Sequence, residues 1–265
     1  MGKQGRVLII AGSDSGGGAG IQGDIKTVTC LGGYAATTIT ALTAQNTTGV
    51  YGIHDVPNDF IKQQIELVLD DISADAIKTG MLHKASVIET IADTLTPYSY
   101  IPLVLDPVMF AKGGAALLEP SAIESLKTRL IPMAAIITPN IPEAEHLSGM
   151  SIANAADMQK AAKKILEMGC NAVLIKGGHL DSDTVTDILF THDLSETFIS
   201  PRINTTHTHG TGCALASAIA TGLAQEMPLA DAVKRARNYV RKAIECAPGI
   251  GKGHGPLGHF EAVME

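Results

Sequence analysis

Two patterns of apolar residues alternate along the chain. Short continuous apolar runs read as buried strands, and runs with apolar residues three and four apart read as helices. Strands are predicted over 6–12 (RVLIIAG), 34–43, 76–81, 103–108, 135–138 and 172–176. Helices are predicted over 19–31, 58–72, 85–95, 121–130, 154–168, 213–225 and 229–246, with a short one after Pro142. In the second of these, Phe60, Ile61, Ile65, Val68 and Leu69 fall at helical spacing. Pro120 is suited to open the helix over 121–130, and Gly169 to close the one over 154–168. Segments 185–191 and 197–203 read as a hairpin turning at 192–196.

Repeated β-then-α units predict an α/β fold in three layers, with a mainly parallel central sheet, helices on both faces and an antiparallel edge hairpin. No Pro- or Ser-rich linker interrupts the 265 residues, so one domain over 1–265 is expected. The Gly-rich stretch 249–258 reads as a surface-hugging or mobile end. In such sheets ligands sit beyond the carboxyl ends of the strands. Polar and Gly-rich groups collect there: Gly12-Ser13-Asp14, Gln45-Asn46, Lys78-Thr79-Gly80-Met81, Asp106-Pro107-Val108, Thr138-Pro139-Asn140 and Lys176-Gly177-Gly178-His179.

Composition narrows the possibilities. Hydrophobic residues at 45% supply a sizeable core, and charged residues at 18% argue against disorder. A formal net charge of −7 argues against a polyanion binder, and 4% aromatics without Trp leave few stacking platforms for nucleic acid. The basic group Lys234, Arg235, Arg237, Arg241 and Lys242 reads first as a solvated helix face, and alternatively as a positive rim for a nucleotide. Cys30, Cys170, Cys213 and Cys246 form no CxxC pair, which excludes a zinc or disulfide framework and suits a reducing cytoplasm. The apolar run over 7–11 is too short for a signal-peptide core, and no stretch approaches a membrane span.

The candidate chemistry lies in the loops. Residues 12–20 (GSDSGGGAG) can bring backbone amides close to a ligand at a helix start. Gly18, Gly20 and Gly23 satisfy GxGxxG, but no acidic residue between Cys30 and His54 is available for a ribose, so dinucleotide binding is disfavoured. GxxxxGK[ST] is missing, so phosphate must be held elsewhere. The best candidate is Thr208-His209-Gly210-Thr211-Gly212-Cys213 before a small-residue helix. There the amides of Gly210 to Cys213 would form an anion hole at the positive end of the helix dipole. A thiol at that position is expected to have a lowered pKa, which would let Cys213 accept a proton. The other cysteines read as small buried hydrophobes.

Asp106 at a strand end and Glu143 in an NxxE arrangement suit Mg²⁺ held through few carboxylates. A turn former and a helix-start charge are the plain alternatives. Lys176, leaving a buried strand, can meet a phosphate or simply snorkel. His207 and His209 read as loop residues near phosphate, and His254 and His259 as surface.

Together these features resemble the ribokinase-like superfamily. More closely they resemble the hydroxymethylpyrimidine/phosphomethylpyrimidine kinases of thiamine biosynthesis. The landmarks are AGSDSGGGAGIQGDIKT (11–27), ITALTAQNT (39–47), IKTGML (77–82), VLDPVM (104–109), ITPNIPEAE (137–145), VLIKGGH (173–179), HTHGTGCALASAIA (207–220) and GHGPLGHF (253–260). The resemblance implies two ATP-dependent phosphorylations, first of a hydroxymethyl oxygen and then of the monophosphate. It implies that Asp24 and Gln45 read the pyrimidine edge, with Met81 and Val108 as apolar walls and Gly12 allowing close approach. Asn140, Glu143, Lys176, Thr208 and Thr211 would serve ATP and Mg²⁺. Gly210, Gly212 and Cys213 would form the anion hole, Cys213 standing where the superfamily usually has Asp. Gly23 and Thr79 depart from the expected Ala and Ile without removing chemistry. A cytoplasmic homodimer is expected. The alternatives are a pyridoxal or pyridoxine kinase, and a non-catalytic pyrimidine sensor on the same fold.

Overall fold

A computed structural model of the chain describes residues 3–110, 117–180 and 182–264. Its strands are β1 (Arg6–Asp14), β2 (Tyr34–Asn46), β3 (Gly49–Asp55), β4 (Ala76–Thr79), β5 (Leu103–Leu105), β6 (Ala134–Ile137), β7 (Ala172–Ile175), β8 (Thr184–Thr191) and β9 (Ser195–Pro201). Its helices are α1 (Gly20–Cys30), α2 (Asn58–Asp71), α3 (Ala85–Leu95), α4 (Pro120–Ser125), α5 (Ile141–Ser148), α6 (Ala155–Leu166), α7 (Thr211–Ala224) and α8 (Leu229–Glu245). The strands form one sheet in the order β3-β2-β1-β4-β5-β6-β7-β8-β9. Strands β2, β1 and β4 to β7 run parallel. At one end β3 is antiparallel to β2, and at the other β8 and β9 form the expected hairpin.

The three-layer α/β/α expectation is met. Along β1, Leu8 and Ile10 belong to one core with α2 to α6, and Val7 and Ile9 to the other with α1, α7 and α8. Burial on both faces explains why this strand reads as an unbroken apolar run. The chain proceeds from β1 to β2 on one side and to β4 on the other, so the order reverses at β1. That reversal is where open α/β sheets open a crevice.

Several local expectations need correction. Strand β3 was not predicted: its sequence, GVYGIHD, is mostly exposed and carries no apolar alternation. The helix expected over 121–130 is regular only to Ser125 and continues as a π-helical turn, Leu126–Leu130, with Pro132 following. The stretch after α8 hugs the surface, the first of its two expected readings: Gly249, Ile250, Gly251, Lys252 and His254 are exposed, yet the segment is tied down. Lys252 and Gly253 amides donate to Thr47 Oγ1 at 3.1 and 3.3 Å, and the His254 amide to the Thr47 carbonyl at 2.9 Å. The His209 amide donates to the Gly255 carbonyl at 3.1 Å. His259, expected at the surface, is buried with its Nδ1 2.8 Å from Tyr239 Oη. Cys170 is buried as expected, but Cys30 is only partly covered and Cys246 is exposed.

Candidate active site

A cavity of about 980 Å³ opens beyond the carboxyl ends of β1, β4, β5, β6 and β7. One end is lined by Gly12, Gln45, Met81 and Val108, and the middle by Asp106, Asn140, Glu143 and Lys176. Thr208, Gly210, Thr211, Gly212 and Cys213 line it at the start of α7. Segments far apart in sequence thus meet on the rim where the polar residues were expected.

The central charges form a compact group. Lys176 Nζ donates to Asp106 Oδ1 at 2.9 Å, and Thr138 Oγ1 donates to the same oxygen at 3.0 Å. Burial opposes the ammonium of Lys176, but Asp106 and Glu143 outweigh it and hold its pKa above the ordinary value. Glu143 completes a capping box: its carboxylate accepts from the Asn140 amide at 2.8 Å, while Asn140 Oδ1 accepts from the Glu143 amide at 3.0 Å. Burial pushes its carboxyl up to about 7, against the pull of Lys176. The helix-start reading of Glu143 is thus met, and the same residue lines the cavity.

The start of α7 has no side-chain cap, so the amides of its first turn lack the usual partner. Gly210 has φ +84°, and a Cβ there would fall on the Gly18 carbonyl oxygen. Glycine is thus required twice over, by conformation and by the approach of the 12–20 loop. A Cβ on Gly212 would sit 3.3 Å from Lys176 Nζ and 3.7 Å from Asp106 Oδ2. The helix N-terminus and the lysine therefore converge on one point, with an open carboxylate oxygen beside them.

Cys213 departs from expectation. It lies at the helix start, yet burial pushes its thiol up to about 11, with Lys78 opposing. Desolvation outweighs the dipole, and a thiolate is scarce at neutral pH. The glycine loop also differs: Asp14 accepts from the amides of Gly16, Gly18 and Ala19 at 2.8, 3.1 and 2.8 Å, so these do not face a ligand. His209, just before the α7 start, has its Nε2 2.9 Å from Asp14 Oδ2 and 3.3 Å from Gln45 Nε2. Asp24 is fully buried and does not line the cavity. Its oxygens accept from Lys78 Nζ and Ser217 Oγ, both at 2.7 Å, so it cannot read a substrate edge directly.

The match to known proteins is extensive. The phosphomethylpyrimidine kinase family model covers residues 14–258. The chain belongs to that family. It is 52% identical over 262 residues to the thiamine biosynthesis bifunctional protein ThiED of Geobacter sulfurreducens, covering 99% of this chain and 54% of that one. It thus spans about half the length of that relative. It is 48% identical to the hydroxymethylpyrimidine/phosphomethylpyrimidine kinase of Bacillus subtilis, covering 96% and 94%. Among solved structures, phosphomethylpyrimidine kinase from Clostridium difficile matches with TM-score 0.81 at 44% identity, covering 90% of this chain and 99% of that one. An ADP complex of Bacillus subtilis pyridoxal kinase matches with TM-score 0.92 at 35% identity, covering 99% and 100%.

In this kinase family member, several cavity residues carried no motif signal. Arg237 and Arg241 line the end beside β8 and β9, so the basic group on α8 is partly a rim and not simply a solvated face. Arg237 Nε donates to Asp187 Oδ2 at 2.7 Å, and its guanidinium lies 5.2 Å from the Phe198 ring centroid. Arg202 donates to the carbonyls of Gly178, Leu180 and Ser182 and so pins the loop after β7. Four-residue spacing of Arg237 and Arg241 was the available clue; nothing marked Arg202. Among the described residues no helix is long and apolar enough to cross a membrane.

Proposed function

We propose that the chain transfers the γ-phosphoryl group of ATP to the hydroxymethyl oxygen of 4-amino-5-hydroxymethyl-2-methylpyrimidine, and then adds a second phosphoryl group to the monophosphate. Family membership supports this reading. The observation that carries it is the convergence of Lys176, Asp106 and the uncapped α7 start at the centre of one cavity. The apolar wall with Gln45 lies at one end and Arg237 and Arg241 at the other.

In each step the acceptor oxygen bonds to the γ-phosphorus. The β,γ-bridging P–O bond breaks with its electron pair staying on ADP. In the first step the hydroxyl proton leaves to solvent or phosphate oxygen. The first-turn amides of α7 and Lys176 would meet the charge on the transferred group. Cys213 lines that pocket, and its raised pKa argues for an electrostatic and positioning role over that of a ready base. Asp106 and Glu143 are two carboxylates flanking one lysine, and no group of three potential metal ligands occurs among the described residues. That donor set fits Mg²⁺ carried in with ATP and completed by phosphate oxygens and water. When bound, the ion would neutralise phosphate charge. Asn140, Thr208 and Thr211 are assigned to the same end, and Gly12, Gln45, Met81 and Val108 to the pyrimidine.

The chain is proposed to act as one kinase domain, since one sheet spans the described residues, and to work in the cytoplasm as a homodimer. The likeness to a pyridoxal kinase keeps a pyridine alcohol as the second reading, because overall shape does not separate the two substrates. A pyrimidine sensor is disfavoured by the intact phosphate end. Steady-state ADP release with each alcohol decides among them. The expected kcat/KM for the hydroxymethylpyrimidine exceeds that for pyridoxal by at least about tenfold. The reverse ranking would make the chain a pyridoxal kinase, and ligand binding without ADP release would make it a sensor.

A further inference from the structure

Beneath the anion-binding end of α7 lies a buried ion pair that none of the roles above uses. Lys78 on β4 has no accessible surface and is among the largest fully buried side chains. Its Nζ donates to Asp24 Oδ2 at 2.7 Å, and Asp24 Oδ1 accepts from Ser217 Oγ at 2.7 Å. Both carboxylate oxygens therefore face donors. One oxygen takes an ammonium proton and the other a hydroxyl proton, the arrangement that best compensates a buried carboxylate. Ser217 stands four residues after Cys213, on the same face of α7. The chain of contacts runs from β4 through α1 to α7 and ends one turn below the anion site.

Two further observations tie it to the cavity. Lys78 borders the cavity from just beneath its surface, where its ammonium feels the Asp106 carboxylate and opposes the upward push on the Cys213 thiol. Gly80 leaves the room it needs: a Cβ there would lie 2.9 Å from Lys78 Nζ and 3.0 Å from Ala11 Cβ. Among the described residues, only Asp24 accepts a hydrogen bond from this ammonium. A buried pair of this kind is a poor stability device, since apolar residues of similar volume usually do as well or better. Its position offers a better reason for it.

We infer that Lys78, held by Asp24 and Ser217, is a positioning residue for phosphoryl transfer. It fixes the first turn of α7 against β4 and turns the ammonium end of a fixed ion pair toward the place where the transferred group gathers negative charge. This deepens the kinase reading and rests on it. Asp24 thus enters the reaction through Lys78 and not through the pyrimidine.

The test compares wild type, Lys78→Met, the double variant Lys78→Met/Asp24→Leu, and Ser217→Ala. Melting temperature and steady-state kinetics with MgATP and the pyrimidine are measured for each. Lys78→Met strands a buried carboxylate and is expected to melt well below wild type. The double variant removes both charges and is expected to regain most of that loss. Its kcat is expected to stay about a hundredfold below wild type, with both KM values within about twofold. Ser217→Ala keeps the helix and is expected to lower kcat about fivefold with both KM values unchanged, by loss of one hydrogen bond to a charged group. Wild-type kcat in the refolded double variant, or in Ser217→Ala should the double variant not fold, overturns the inference. An inactive wild type would instead sink the kinase reading itself, so the two failures are distinct.

Discussion

Lys176 shows how one side chain can hold a site together before any ligand arrives. Its ammonium sits between Asp106 and Glu143, and the start of α7 approaches within van der Waals reach of it. Removing it takes from Asp106 its hydrogen-bonded cation, lets the Glu143 carboxyl rise further, and takes one cation from the proposed phosphate position. Lys176→Ala is expected to raise the KM for MgATP at least about tenfold, the cost of a charge-assisted hydrogen bond, and to leave the pyrimidine KM within about twofold. Varying each substrate in turn at saturation of the other checks this. An unchanged KM for MgATP would remove Lys176 from the nucleotide end.

At the scale of elements, the stretch after α8 ties together two loops and a pair of helices. It binds Thr47 at the β2–β3 turn, His209 before α7, and a pocket against α1 and α8 through His259. Burial lowers the His259 pKa to about 4, with Lys26 adding to the effect. The imidazole is neutral in the fold but protonates near 6.5 when unfolded. Between those values the unfolded chain binds the extra proton. Stability from this group is therefore complete above about 6.5 and is lost as pH falls toward 4, by roughly 3 kcal/mol at most. His259→Asn is expected to flatten that part of the stability curve, measured by urea unfolding from pH 7 to pH 4. Parallel wild-type and variant curves would show that His259 does not anchor the segment. Elements differ in how far they can be read from sequence. Strands β1 and β5 to β7 were legible because burial on both faces writes an unbroken apolar run. Strand β3 was not, because exposed edge pairing leaves no pattern. The glycine-rich start of α7 was legible because Gly210 must be glycine, by its φ of +84° and by the approach of the Gly18 carbonyl. Asp24 was misread from its motif, although Ile21, Asp24 and Val28 share the buried face of α1. Its partner Lys78, inside an otherwise apolar strand, was the overlooked counterpart.

At the scale of the whole molecule, the sheet lines one cavity from both sides: β1 and β2 carry the end proposed for the heterocycle, and β7 to β9 the end proposed for the nucleotide. Strand β3 closes the heterocycle side and leaves one edge without a neighbour among the described residues. Tyr51 on β3 and Leu42 on β2 are 71% and 44% exposed, and Phe60 at the start of α2 is 54% exposed. An open edge with large apolar side chains is a surface that a second chain can cover. The expected homodimer is best placed here, since the same β2–β3 ribbon carries Gln45 into the cavity. Light scattering is expected to give twice the mass of one chain, and Tyr51→Asp combined with Leu42→Glu to give a monomer. Because loosening the ribbon disturbs Gln45 and leaves Lys176 untouched, the monomer is expected to show a raised pyrimidine KM, by about tenfold, with the MgATP KM nearly unchanged. A dimer that survives both substitutions would move the interface elsewhere, and a monomer with both KM values intact would separate assembly from the site.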